Sequence, residues 1–518
     1  MKHIKFTKMI KFAATSLFSL MLYSVFNPSF AEQASESHGA GHVDMSDQAT
    51  PVSHDDAVFG PDPEYSEQAY DPQAQIEIYG GKRAVHTPRP MLELGRPQYQ
   101  EGPLTRSISV VGERNRLTPA LSVFGDFRVA NVVNHEAGRA PGSHGRGQLA
   151  ARLNLDIDLK LTATERIHAF VRPLDKNGEF TRLEYSGSDD GSTFSEFLLD
   201  GNLETLFFEG DLGAILSGFS GKPSSFDLPF AFGLMPLLFQ NGVWLEDAFT
   251  GVAVTIPARN SRVLDISNFD ITFFAGFDEV SSQAILDENG KVAEDDVHVY
   301  GIASFFETLG GYAEIDYAFI DGQDQFDDLD HHNLSIAFTK RYKAVASTSL
   351  RIIHTFGQDP IGRAETAGGT LIQFESSLIT SKPSTFIPYM NLFAAFDRPQ
   401  SVARANSGIL KNIGINFESD NLSGFPLLDD SGQDVWGGAI GIENLFALDQ
   451  QLVVEFATVQ LMDQNNPLGR AKGDQYALGI RYQRPLSKAW IARFDAMKGW
   501  RDNDLDVSGV RFEMRRKF

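Results

Sequence analysis

From Leu149 to Leu161 the chain alternates with a period of two. Leu153, Leu155, Ile157, Leu159 and Leu161 fall on one side; Arg152, Asn154, Asp156, Asp158 and Lys160 fall on the other. A helix would scatter these residues around its axis, whereas a strand separates them onto two faces. A strand that is apolar on one face and densely ionic on the other stands between an apolar medium and water. The period recurs along the chain, with apolar sets at Phe269, Ile271, Phe273 and Phe277, at Ile315, Tyr317 and Phe319, at Leu334, Ile336 and Phe338, at Leu452, Val454 and Phe456, and at Tyr476, Leu478, Ile480 and Tyr482. A soluble sandwich with its apolar faces turned inward satisfies the same pattern, so the connections must decide.

Strands are expected near 119–133, 147–161, 166–173, 194–209, 212–219, 249–256, 268–278, 297–307, 311–321, 332–341, 346–357, 368–380, 384–396, 434–447, 452–462, 474–484, 489–500 and 506–518. Their connections alternate in length. Thr162–Glu165, Gly210-Asp211, Thr308–Gly310, Tyr342–Val345, Ser381–Pro383, Leu448–Gln451 and Pro485–Lys488 are short, with Pro257–Ser267 a longer member of that side. His135–Arg146, Leu174–Thr193, Ser220–Ala248, Glu279–Asp296, Gln358–Ala367 and Asp397–Gln433 are long. Short turns on one rim and long loops on the other predict an all-β fold: a transmembrane antiparallel β-barrel of about eighteen strands, sixteen being the alternative count, with periplasmic turns and extracellular loops.

The first residues read as a processing signal. Lys2, Lys5, Lys8 and Lys11 precede an apolar run from Phe12 to Phe26, and Ser29-Phe30-Ala31 offers a small-x-small cleavage site. Removal of 1–31 takes four lysines and moves the net charge from −23 to −27. No later stretch is long and apolar enough for a spanning helix, so a mature chain that enters a membrane does so as strands. Residues 32 to about 75 are acidic and interleaved with Gly, Ser and Pro, and read as a disordered arm. Residues 76–117 are broken by Pro88, Pro90, Pro97 and Pro103 and read as an extended periplasmic segment or one tucked into the barrel mouth. The barrel is expected over 118–518.

The last strand carries Val510, Phe512 and Met514 on one face, Arg511, Glu513 and Arg515 on the other, and Phe518 at its end. This pattern resembles the closing strand of Gram-negative outer-membrane proteins, which implies recognition by the barrel-assembly machinery. Arg516, on the outward face, is a departure from it and is expected to snorkel. In overall plan the region resembles a large porin, and its size and strand number are similar to the alginate-export type. That resemblance implies a passive channel for an anionic polysaccharide.

A barrel this wide leaves an aqueous lumen. Asp126, Arg128, Arg152, Asp156, Asp158, Lys160, Arg172, Glu204, Glu314, Asp316, Arg351, Glu455, Arg481, Arg493 and Asp495 occupy expected inward positions and are the candidate pore lining, either as charge rings that bias solutes by sign or as salt-bridged wall. The segment 220–248 is too apolar for an exposed loop. Phe226, Phe230, Phe232, Met235, Phe239 and Trp244 are therefore expected in a constriction loop folded into the lumen, the alternatives being an oligomer contact or a site for apolar substrates.

The expected function is passive transport of small hydrophilic or anionic solutes. A non-conducting anchor, adhesin or scaffold barrel and an apolar-substrate uptake channel are the alternatives. Expected partners are outer-membrane lipid, lipopolysaccharide and small solutes; the strongly acidic balance disfavours nucleic acid. Monomer and trimer remain open. With no Cys there is no thiolate chemistry, and no serine-nucleophile elbow, zinc-protease or P-loop motif occurs, so neither an enzyme nor a cofactor is expected. Asp321, Asp324, Asp327, Asp328 and Asp330 beside His331 and His332 lack EF-hand spacing and read as a solvated loop, with no metal assigned.

Overall fold

The computed structural model describes residues 90–95, 107–135, 146–176, 179–186, 194–287, 290–380, 385–414, 416–417, 422–446, 450–462 and 471–518. The signal segment, the acidic arm and the loop at 136–145 lie outside them. The chain divides into two units at residue 85, and every described residue belongs to the second, 86–518.

Eighteen antiparallel strands form the wall. They are β1 (Ala120–His135), β2 (Arg146–Lys160), β3 (Arg166–Val171, continued by Glu179–Ser186), β4 (Phe194–Glu196, continued by Leu203–Asp211), β5 (Pro229–Phe239) and β6 (Leu245–Ser261). Next come β7 (Ile266–Asp278), β8 (Val297–Thr308), β9 (Gly311–Gly322), β10 (His331–Tyr342), β11 (Ala346–Phe356) and β12 (Gly368–Leu378). The last six are β13 (Phe386–Arg398), β14 (Val435–Phe446), β15 (Gln450–Leu461), β16 (Gln475–Pro485), β17 (Trp490–Arg501) and β18 (Val507–Lys517). Each pairs with its neighbours in sequence, and β18 returns to β1 in a register running from Asp126↔Lys517 to His135↔Ser508. Below that register Phe518 exchanges two backbone hydrogen bonds with Gly125, at 2.9 and 3.1 Å. A short strand, Leu92–Gly95, then covers Ala120–Val123. Closure satisfies the edge groups that hydrocarbon could not.

The expected two-faced pattern holds. Phe273, Ile315, Tyr317, Ile336, Ile440, Val454, Phe456, Leu478 and Phe512 are exposed on the outside. The positions between them, among them Asp316, Ser335, Glu455, Arg511 and Glu513, are buried inside. An apolar band around a closed barrel is covered by acyl chains, and barrels of this construction belong to the Gram-negative outer membrane. No described helix is long and apolar enough to cross a membrane. Val510 and Phe512 face outward as expected, and Arg516 lies over the Trp490 ring at 5.8 Å, an interfacial pairing that accommodates its charge.

The count of eighteen is reached differently from the expectation. Residues 212–219 form a helix, α1 (Leu212–Ser220), on the turn rim. The Asp211 carboxylate accepts from the Ala214 N–H at 2.7 Å and Gly221 closes the helix at φ +68°. Its apolar run fits either period, and the caps decide. The missing strand is β5, inside the segment expected to be a constriction loop. Its two prolines sit where the ladder tolerates them. Pro229 is its first residue, and Pro236 lies beyond the last pair with β4, Leu206↔Leu234. Gly233, at φ +119°, packs directly on the Leu206 carbonyl and the Phe207 backbone, which leaves no space for a side chain.

Two further strands depart from a plain hairpin pattern. β2 pairs first with Arg166–Val171 and then with Thr181–Ser186, so β3 is one strand interrupted by a small insertion. Asp175 sits in that insertion. β4 is interrupted in the same way between Glu196 and Leu203.

The loop-side half of the lumen is filled. Residues 399–434, between β13 and β14, carry Val402, Ile409, Leu410, Ile413, Phe417, Phe425 and Leu428, all buried. They join one apolar cluster with Trp244, Phe249, Ile285, Ile320, Ile353 and Leu371. The wall opposite them turns small: Ala395, Ala439, Ala457 and Ala477 are buried inward positions. Gly479 lies immediately under the Phe417 ring. Small inward residues make the room that the loop occupies.

Candidate functional site

Beneath Phe417 lies a cavity of about 450 Å³ lined by Arg128, Arg152, Asn154, Phe170, Arg172, Phe417, Arg481, Arg493, Arg511 and Arg515. The arginines come from β1, β2, the end of β3, β16, β17 and β18, strands that become adjacent only when the barrel closes. Seven guanidiniums facing one cavity repel one another, and five carboxylates behind them hold the array. Asp126 pairs with Arg128 at 2.9 Å and with Arg515 at 3.9 Å. Asp175 pairs with Arg152 at 3.3 Å and Arg172 at 3.7 Å. Glu204 pairs with Arg172 at 3.0 Å, and Asp495 with Arg481 at 2.7 Å and Arg511 at 3.6 Å. Glu513 pairs with Arg511 and, at 3.3 Å, with Arg515. Arg493 is held by Gln483 at 2.8 and 3.1 Å.

Three of the arginines also stack on rings. Arg152 lies 4.5 Å from the Phe180 centroid, Arg172 5.3 Å from Phe170, and Arg481 5.7 Å from Phe417. Arg481 also donates to the Phe417 carbonyl, which ties the filling loop to the chamber. The carboxylates stand in the second row and the guanidinium forks line the space. The chamber therefore offers a small anion several planar donors at once.

The remaining inward positions divide into four places. Asp156 and Asp158 line a neighbouring cavity of about 580 Å³ that also touches Asp126, Arg128, Asn154, His168, Phe170, Thr205, Phe207 and Pro236. Lys160 stands at the turn-side end of β2, opposite Arg166. Glu314, Asp316 and Arg351 lie on β9 and β11, far around the wall. There Gln240 donates to Asp316 at 2.7 Å and accepts from Arg351 at 2.9 Å, and Arg351 also reaches Gln373 at 2.6 Å and Glu375 at 3.3 Å. Glu455 accepts from the Tyr389 hydroxyl at 2.5 Å. Arg511, Arg515, Asn154, Phe170 and Phe417 complete the chamber beyond the expected lining. The alternation of β18 already turned the first two inward.

The expected constriction loop 220–248 is corrected. Phe230 and Phe232 sit on β5 facing outward, ring to ring with Phe208 at 5.9 and 5.3 Å. Phe226 lies in the turn-rim segment before the strand. Only the hairpin tip folds inward. Trp244 is fully buried and donates to Asn333 Oδ1 at 2.8 Å, while Met235 and Phe239 pack into the lumen cluster. The inward loop is formed by the described residues of 399–434. Arg404, fully buried, reaches Glu246 at 2.9 Å and also donates to the Gly242 carbonyl, and Val402 N–H donates to the Trp244 carbonyl at 2.8 Å. Further along, Ser423 O accepts from Asn134 and Gln148 of β1 and β2 at 3.2 and 2.5 Å. The loop thus leaves β13, docks on the β5–β6 tip and then reaches the wall on either side of the closing seam.

The architecture is that of a closed eighteen-stranded antiparallel β-barrel of the outer-membrane type. No family model and no curated relative matches the chain. Among solved structures the chain is similar to Pseudomonas aeruginosa OpdK with vanillate, at 12% identity and a TM-score of 0.49, over 76% of this chain and 98% of that one. It is also similar to P. aeruginosa OccK2 (OpdF) in complex with glucuronate, at 10% identity and 0.48, and to Acinetobacter baumannii OccAB4, at 10% and 0.46, each over the same shares.

The acidic cluster at 321–330 folds as a turn of 3₁₀ helix, Asp324–Leu329, on the loop rim. Asp328 accepts from the Arg363 guanidinium and from the Ile361 N–H, and these bonds hold its carboxyl down at about 2. Asp330 accepts from the Gly322 N–H at 2.8 Å. Two of the five carboxylates are thus engaged in holding loops together.

Proposed function

We propose that this protein is an outer-membrane channel for small anionic solutes, the arginine chamber being its selective element. The observation that carries the reading is the convergence of seven guanidiniums on one cavity with their carboxylate partners set behind them. A planar carboxylate is bound by such forks bidentately. Several adjacent forks allow it to pass from one to the next without meeting a single deep trap, a condition for conduction. With the upper lumen filled by 399–434, the free space suits a small solute better than a polysaccharide chain. The outward Val510 and Phe512, with Met514 on the same face and Phe518 bonded to Gly125, support a closing strand that the barrel-assembly machinery recognises.

Purified protein in a planar bilayer tests this. In a KCl gradient the reversal potential is expected on the anion side, with acetate replacing chloride as carrier. Arg493→Gln removes a guanidinium held by a neutral partner and so leaves no carboxylate stranded. It should lower the anion preference while the barrel folds normally. Cation selectivity of the wild type, or no conductance at any voltage, overturns the reading.

A further inference from the structure

The arginine chamber and the second cavity abut, sharing Arg128, Asn154 and Phe170. At its far side the second cavity reaches Pro236, which is not a lumen residue. Met235 before it is buried in the lumen cluster, while Leu238, two positions on, is 62% exposed on the outer face. The cavity bounded by Asp156 thus reaches the wall at Pro236, where β4 and β5 part.

The ladder explains the gap. Among the described residues β4 and β5 pair only up to Leu206↔Leu234. Just above, β4 slips register against its other neighbour, β3, between Thr205 and Leu203. Pro236 faces that slip without an N–H to donate. The slip and the proline together leave the wall unzipped over the upper half of β5. The outer rim of the seam is apolar, with Leu203, Leu206 and Leu238 exposed. The inner passage is aromatic: His168 stacks on Phe207 at 4.9 Å, and Phe170 follows. Beyond them stand Arg128 and Asn154. From membrane to lumen the sequence of chemistry is aliphatic, aromatic, then ionic, with Arg128 set among Asp126, Asp156 and Asp158.

We propose that this seam is a lateral portal for a single-chain amphiphilic anion, its carboxylate held in the arginine chamber and its alkyl tail leaving through the wall into the bilayer. The proposal rests on the anion reading above and names a second ligand class for the same chamber. Binding should strengthen with chain length, since only a tail long enough to pass Phe207 and Pro236 reaches lipid.

The test uses the full chain in a planar bilayer, with acetate as current carrier and n-alkyl carboxylates as blockers. Dodecanoate is expected to halve the current at a concentration at least about tenfold below that of hexanoate, since burial rewards each added methylene. Pro236→Trp wedges an indole into the seam from the lipid side. It should bring dodecanoate to the hexanoate level while acetate selectivity is unchanged. Leu238→Trp, also outward, repeats the test should the first variant fail to fold. Equal block by the two acids, or full dodecanoate block in a folded seam variant, overturns the portal while leaving the anion channel standing. Absence of acetate selectivity in the wild type overturns the anion reading itself.

Discussion

Asn333 joins the two inward-folded segments through one side chain. Its Oδ1 accepts from Trp244 Nε1 at 2.8 Å, and its Nδ2 donates to the Gln400 carbonyl at 2.7 Å and to Thr355 Oγ1 at 3.3 Å. All of it is buried, and a buried polar atom that loses its partner costs about 1–3 kcal/mol. Trp244→Phe keeps a ring in the cluster and strands Oδ1, so unfolding in urea should show a loss of about that size. Asn333→Ala placed on top of it should cost less than it does in the wild type, because the bond is already lost and the substitution removes the stranded atom. Additive losses in this double-mutant cycle would show that the bond is not a coupling. Residue by residue, the period of two turns Arg128, Arg152, Arg172, Arg481 and Arg493 inward, and it turns Arg351 and Glu455 inward just as firmly. Alternation reports which face a residue occupies. It does not report its height in the barrel or its angle around it, and those decide whether an arginine joins the chamber or binds Gln240 on the far wall.

Between elements, the contact that sets the free bore is the one between β16 and the filling loop. Gly479 faces inward directly under Phe417, and any side chain there meets the ring. Gly479→Leu is expected to lift Phe417, break the Arg481 hold on its carbonyl and raise single-channel conductance severalfold, with the wall unaltered because β16 keeps its ladder to β15 and β17. Conductance equal to wild type would mean that the loop does not limit flow. The loop's length was legible in the sequence but its role was not. The segment 220–248 reads as more apolar, and apolarity was assigned to folding inward. In a membrane barrel the apolar side of a strand faces outward, so Phe230 and Phe232 belong to the wall, Pro229 begins the strand and Pro236 lies past its last pair with β4. The 399–434 loop disperses its apolar residues among Asp, Ser and Asn, and without a period nothing in the sequence separates a filling loop from a solvated one. α1 reads as a strand for a related reason: nine residues of mixed apolar and small character carry no decisive period, and its cap, Asp211, resembles a turn residue.

For the molecule as a whole, a chain of net charge −23 is proposed to prefer anions, and the resolution lies in where the charges sit. Among the described residues, acid lies in exposed places such as the loop-rim residues Asp324, Asp327, Asp502 and Asp506. The guanidiniums of the chamber are close-set and partly buried. Screening separates the two. At about 0.1 M salt the Debye length is near 10 Å, and at about 1 M it is near 3 Å. Rim charges therefore act weakly at the chamber at any working salt, whereas a solute inside touches the forks directly. A channel ruled by its overall charge would select cations in dilute salt and lose selectivity in concentrated salt. This barrel is expected to keep an anion-side reversal potential at both about 0.1 and 1 M KCl, with the absolute current rising as the acidic mouth is screened. A change of sign between the two salts would show that the rim, and not the arginine chamber, governs which ions pass.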